Sequence, residues 1–165
     1  MPIYMKFDGI VGPVTYDKSK GWIELESVQL GQHRSIRSPT GSARERESQS
    51  PNISEIVATK YQDSSSTALF KQALWGEGKK VTIVFVKIDK DSSQEYLRII
   101  LENTLISSFT TSGSGGADRP MESFTLNFTK ITFEKGSSAH ASLMVRPQDW
   151  GSLQAMAMFN RSTEA

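Results

Sequence analysis

The chain contains no cysteine and only two histidines, His33 and His140. The missing thiols exclude a disulfide framework, cysteine catalysis and every zinc site built on sulfur, and two histidines so far apart do not suggest a metal cage. No metal or cofactor is therefore expected. An excess of one charge sign is lacking as well: 19 Lys and Arg against 18 Asp and Glu leave a net charge of +1. Such a chain has no overall field to draw it onto nucleic acid or anionic lipid. No stretch approaches the roughly 18 apolar residues of a membrane span, so no stable membrane insertion is expected. The opening Met1-Pro2-Ile3-Tyr4-Met5-Lys6-Phe7-Asp8-Gly9 lacks the apolar run of a secretory signal, which places the start of the protein's life in the cytoplasm.

What is present is β-pattern. The 165 residues suffice for one domain with a core of its own. Leu97, Ile99, Leu101, Leu105 and Phe109 fall on one parity, with Arg98, Glu102, Thr104 and Ser108 on the other, as in a strand with one wet face. Phe124, Leu126 and Phe128 repeat the pattern, and Ile131 and Phe133 restart it out of phase, which demands a bulge or sharp twist. The stretch from Trp22 to Leu30 also changes phase, from Ile23 and Leu25 to Val28 and Leu30. Val81 to Ile88 is apolar on both parities and reads as a central strand, and Ile53 to Tyr61 reads as another. One segment differs. Asp63 to Ser66 offers N-caps, Leu69, Phe70, Ala73 and Leu74 share a helical face, and Gly76 is placed to end the helix. The pattern predicts a mainly β fold, a barrel or a sandwich, with one short α-helix at about residues 64–75.

Between the second and third long strands, residues 31–52 hold serines, two prolines and almost nothing apolar, with four arginines against two glutamates. A loop this long without structure of its own is usually functional. Arg34, Arg37, Arg44 and Arg46 make it the first candidate for a partner-binding arm, against the plainer reading of a solvated loop.

The residues give catalysis no foothold. Ser112-Gly113-Ser114-Gly115-Gly116 superficially looks like a phosphate cradle, but it lacks the Gly-Lys-Ser/Thr ending of a Walker loop and joins two strands with no following helix. Asp118, Arg119 and Glu122 are placed to fix the exit from that loop by an ion pair. Glu24 and Glu26 share a strand face at a spacing that suits paired carboxylates, yet nothing else supports glycosidase chemistry. No nucleophile elbow occurs. An oligonucleotide-binding barrel would interleave exposed aromatics with basic residues, whereas the phenylalanines of the late strands sit on the core parity.

Three stretches, in order, resemble the haemolysin-coregulated protein (Hcp) family of type VI secretion systems, from about Ile3 to Glu134. They are Tyr4 to Gly12 with Gly21-Trp22-Ile23-Glu24-Leu25; Thr59-Lys60-Tyr61 with Asp63, Ser66 and Leu69; and Ser107 to Glu122, containing Gly113, Gly115, Gly116, Asp118 and Arg119, into Leu126-Asn127-Phe128. The resemblance implies a two-sheet β-barrel with one short flanking α-helix and a long extended loop, and a non-enzymatic structural subunit: homohexameric rings that stack into a tube, meet a spike protein, lie inside a contractile sheath and carry effectors in the lumen. Sheath contraction then expels the tube, so export needs no signal peptide. It also implies that the arm contacts the adjacent ring, making Arg34, Arg37, Arg44 and Arg46 candidate stacking residues, while Ser27 and Gln29 are candidates for the lumen face. The barrel domain is expected over residues 1–136. Residues 137–165 depart from the family ending and read as an atypical tail, too short for a toxin domain. The competing reading is a monomeric or dimeric β-barrel that binds a ligand or nucleic acid.

Overall fold

The computed structural model describes residues 1–33, 52–89, 92–116, 118–135, 141–143 and 157–159. In chain order the strands are β1 (Ile3–Phe7), β2 (Ile23–Leu25), β3 (Ser27–Gln29), β4 (Gln32–His33), β5 (Asn52–Ile53), β6 (Ile56–Tyr61), β7 (Lys79–Asp89), β8 (Ser92–Ser112), β9 (Met121–Asn127), β10 (Lys130–Lys135), β11 (Ala141–Leu143) and β12 (Ala157–Phe159). Helix α1 (Ser66–Trp75) lies between β6 and β7. The strands divide into two antiparallel layers. The first runs β2-β1-β7-β8-β10 and uses the first half of β8; the second runs β8-β9-β6-β3 and uses its second half. Short ladders β4-β5 and β11-β12 are separate.

The core lies between the layers, where Met5, Phe7, Ile23, Ile56, Ile83, Leu101, Phe124, Leu126 and Ile131 are essentially without solvent contact. Each such side chain contributes about 1.5–3 kcal/mol by leaving water. The alternation that brings them inward follows from the two-residue period of a strand, and its breaks mark where the chain turns a corner. At Glu26 the chain leaves β2 and enters β3, and the Glu26 N–H donates to the Thr59 carbonyl at 2.8 Å. Ile23 and Leu25 face the core before the break and Val28 packs against it afterwards, the phase change read from the sequence. A second change, between Leu126 and Ile131, lets β9 and β10 serve different layers, also as expected.

Two expectations need correction. Leu105 does not continue the buried set of Leu97, Ile99 and Leu101; it is 42% exposed, and Thr104 and Ile106 are buried instead. The cause is Asn103, whose φ of 50° places it in the left-handed region and adds a residue opposite β7, between the pairs Val81 with Leu101 and Lys79 with Thr104. A second register shift between Ile106 and Ser108 returns Phe109 to the core side. The barrel, for its part, is not closed by hydrogen bonding. The ladder path begins at β2 and ends at β3, and these are successive pieces of one strand rather than lateral partners. The mainly β architecture holds, with continuous strands turning the corners.

Helix α1 starts two residues later than the pattern suggested and buries less of its face. Leu69 is fully buried and Ala73 half-buried, but Phe70 and Leu74 are about half exposed, at 49% and 52%. The helix meets β8 along one side, where Phe70 sets its edge against Phe109 at 5.8 Å, and Phe109 stacks on Phe124 at 6.2 Å. Gly76 ends it, donating its N–H to the Gln72 carbonyl at 2.9 Å. β7 is the central strand predicted, paired with β1 on one side and β8 on the other.

Gly12 is required by close approach: a Cβ there would lie 2.1 Å from the Trp22 carbonyl oxygen, while its N–H donates to the Gly21 carbonyl at 2.8 Å. Gly12→Ala should lower stability by about 2 kcal/mol or more, read as a fall in the urea midpoint. Tyr4 sits opposite Glu24 on the outer face of the first layer, and its pKa is raised above the usual 10.0 by burial first, then by the Glu24 carboxylate and Tyr16. A raised phenol pKa gives stability that is complete below the unfolded value and lost as pH rises through the folded one. Unfolding midpoints should therefore fall above about pH 10, and Tyr4→Phe should flatten that fall.

Candidate assembly surface

Lys60 sits on the core parity of β6, yet it is charged and wholly buried. Cross-strand pairing explains how it is accommodated: β9 places Glu122 directly opposite. The Lys60 Nζ lies 2.9 Å from Glu122 Oε2 and 3.0 Å from Asp63 Oδ1, and it donates to Ser66 Oγ and the Tyr61 carbonyl, each at 3.0 Å. Ser66 Oγ donates in turn to Glu122 Oε2 at 2.8 Å and accepts the Asp63 N–H at 3.0 Å. Asp63 Oδ1 also accepts the Ser65 N–H at 2.7 Å, just ahead of α1. One ammonium thus ties two strands to the start of the helix. The contact of Ser66 with Lys60 has the partners of a serine–lysine nucleophile pair, but with Lys60 fully buried and Ser66 only 7% exposed, no substrate carbonyl reaches it.

With Lys60 and Glu122 turned inward, the outer face of the second layer carries uncharged groups. One row across four strands reads Ser27, Thr59, Ser123, Thr110, and the next reads Gln29, Val57, Thr125, Ser108. Ser27 Oγ and Thr59 Oγ1 are 2.6 Å apart, and Ser108 and Thr125 pair at 2.9 Å. Ser27 is half-buried and Gln29 exposed. The outer face of the first layer is a charge mosaic by contrast, with Arg98 on Glu95 at 2.6 Å and Lys130 on Glu102 at 2.8 Å.

The second layer has two rims. At one, the turn containing Gly113, Gly115 and Gly116 joins β8 to β9, as a strand connection rather than a phosphate cradle, and a Cβ at Gly115 or Gly116 would meet nothing. Arg119 lies there with its guanidinium 5.1 Å over the Tyr61 ring. The expected ion pair of Arg119 with Glu122 is not formed, because the strand turns Glu122 inward to Lys60; Asp118 is exposed beside it. At the other rim, Glu55 accepts Ser107 Oγ at 2.8 Å and Asn127 Nδ2 at 2.7 Å, clasping the β8 bulge. Glu55 gave no sequence signal, since only tertiary pairing shows its partners. Glu24 and Glu26 are exposed, and the strand breaks at Glu26, so they do not form a facing pair on one continuous strand. Arg34, Arg37, Arg44, Arg46 and His140 lie outside the described residues.

A family model described as "Type VI secretion system effector, Hcp" matches residues 4–134. This chain belongs to the Hcp family. Protein hcp1 of Pseudomonas aeruginosa is 36% identical over 81 residues, which is 48% of this chain, and the match spans 50% of that relative's length. Among solved structures, a type six secretion system protein superposes with a TM-score of 0.81 at 22% identity, covering 90% of this chain and 97% of the other. A type VI secretion system effector from Yersinia pestis gives 0.70 at 23%, covering 87% and 98%. Both share the Hcp fold described above. Among the described residues no helix is long and apolar enough to cross a membrane.

Cutting the lysine out of the buried cluster tests its weight. Lys60→Met leaves Glu122 and Asp63 without their cation and should cost about 3–5 kcal/mol, while Lys60→Met with Glu122→Leu should recover much of that loss. Chemical denaturation of the two variants measures the coupling.

Proposed function

We propose that this Hcp-family chain is a structural, non-enzymatic subunit of a type VI secretion tube, closing into homohexameric rings that stack and are expelled by sheath contraction. The observation that carries the reading beyond family membership is the open second layer. Among the described residues, β3 and the second half of β8 have no strand on their outer edges. Unpaired edges invite a further strand. The layer has four strands in antiparallel order, so β3 and β8 run in opposite senses. Joining β3 of one copy to β8 of the next keeps every pair antiparallel, and the contact is heterologous, the kind that closes a ring.

In that ring the uncharged face with Ser27 and Gln29 lines the lumen and meets effector cargo, and the charged face of the first layer looks outward, toward the sheath. The interior between the layers is occupied by side chains such as Phe7 and Phe124. The spike protein is the tube's partner at its tip. Residues 1–136 are the ring-forming domain, with 137–165 a tail outside it. The subunit is cytoplasmic before firing and secreted afterwards, with no part for nucleic acid.

Light scattering should give roughly six times the 18.3 kDa chain mass, with annular particles in negative stain. A monomer at high concentration defeats the reading. The arm bearing Arg34, Arg37, Arg44 and Arg46 is proposed to bridge rings, so deleting residues 41–50 should leave the ring mass unchanged and reduce stacking in sedimentation.

A further inference from the structure

If the second layer forms the wall of a ring by edge pairing, the ends of its strands lie at the two open faces of that ring. Glu55 precedes β6 and Tyr61 ends it, so the two rims stand about 20 Å apart at roughly 3.3 Å per residue. Each carries an ionised side chain, a carboxylate at one and, beside the exposed Asp118, a guanidinium at the other. At one rim stands the Glu55 carboxylate, held in place by Ser107 and Asn127, which bind one oxygen each and leave lone pairs on both. At the other stands Arg119, exposed, with its guanidinium carbon 5.1 Å from the centroid of the Tyr61 ring. A cation–π contact uses none of the five N–H donors of a guanidinium as a conventional hydrogen bond, so they remain available to a carboxylate. Among the described residues Arg119 has no ion-pair partner: Glu122 is committed to Lys60, and the neighbouring Asp118 makes no pair with it.

From this placement we infer that Arg119 of one copy binds Glu55 of a copy in the adjacent ring, a charge-assisted contact that fixes head-to-tail stacking. The inference rests on the tube reading. Two copies of the chain in one orientation, one above the other, bring Arg119 of one onto Glu55 of the next, whereas head-to-head stacking sets Arg119 against Arg119 and Glu55 against Glu55. Within one chain the two residues are too far apart to meet. The contact is bidentate in kind, of the type where Arg exceeds Lys.

The chain's lack of cysteine makes the test clean. Ser54 and Asp118, exposed neighbours of the two residues, are replaced as Ser54→Cys and Asp118→Cys, leaving Glu55 and Arg119 in place. Purified rings are treated with a short bis-maleimide and run on a denaturing gel. Chains should be linked in the double-cysteine protein and not in either single-cysteine control. Adding Arg119→Glu should lower the linked fraction about tenfold, as should raising salt from about 0.05 M to about 0.5 M. Further addition of Glu55→Arg to the Arg119→Glu chain should restore linking. Because Glu55 also clasps the bulge, Glu55→Gln serves as the milder companion, keeping an acceptor while removing the charge, and it should lower linking likewise. Intact rings whose linking ignores both Arg119→Glu and Glu55→Gln, or never requires both cysteines, overturn the rim contact alone. A monomeric mass before any cysteine is introduced overturns the tube reading and the contact with it.

Discussion

An ammonium group shut away from water has to be surrounded by oxygen, and Lys60 meets that demand by collecting a strand, a turn and a helix around itself. Glu122 comes from β9, Asp63 from the turn after β6, and Ser66 from the first residue of α1. The desolvation cost of such a cluster is large, so it adds less to net stability than its short distances suggest. Its value is directional. A hydrophobic contact tolerates sliding, whereas this arrangement has one geometry in which every donor finds an acceptor. The pairing of β6 with β9 and the seat of the helix are fixed together. The same commitment empties the outer face of charge, because Lys60 and Glu122, the ionised residues of β6 and β9, both point inward.

Corner-turning gives the architecture its other constraint. One strand breaks at Glu26, another takes a left-handed residue at Asn103, and a third shifts phase between β9 and β10. Each lets one continuous stretch of chain serve two layers, so the layers enclose a core without lateral closure of the ladder. A consequence is that the second layer keeps two bare edges. In a monomer that is a hazard for aggregation. In a ring-forming subunit it is the material of assembly, and a layer with an even number of antiparallel strands can repeat around a ring without a mismatched pair.

Much of this was legible from residue order alone. Alternation located β8, β9 and β10, an unbroken apolar run located β7, and the phase changes at Trp22 to Leu30 and after Phe128 were visible because a bulge moves every later side chain to the other face. The helix could be read from its caps. Its degree of burial could not, because Phe70 and Leu74 share a face with Leu69 yet stay half exposed, Phe70 touching Phe109 of β8 only edge-on. Leu105 was misassigned for a related reason: a positive φ at Asn103 leaves no mark in hydrophobic periodicity. Glu122 looked like a loop-exit partner for Arg119, being three residues away, and only the register opposite Lys60 shows where it goes.

The sequence by itself determined that the protein is mainly β, that it lacks the ligands for thiol, disulfide or sulfur-bound metal chemistry, and that its motifs are those of the Hcp family. The first two follow from period and composition and the last from the resemblance of three ordered stretches, all of which a linear chain expresses directly. Which charges are buried, which strand edges stay bare and which rim carries Arg119 or Glu55 were decided only in the tertiary structure. Each depends on residues distant along the chain meeting across a ladder, and pairing across a sheet is set by the fold as a whole.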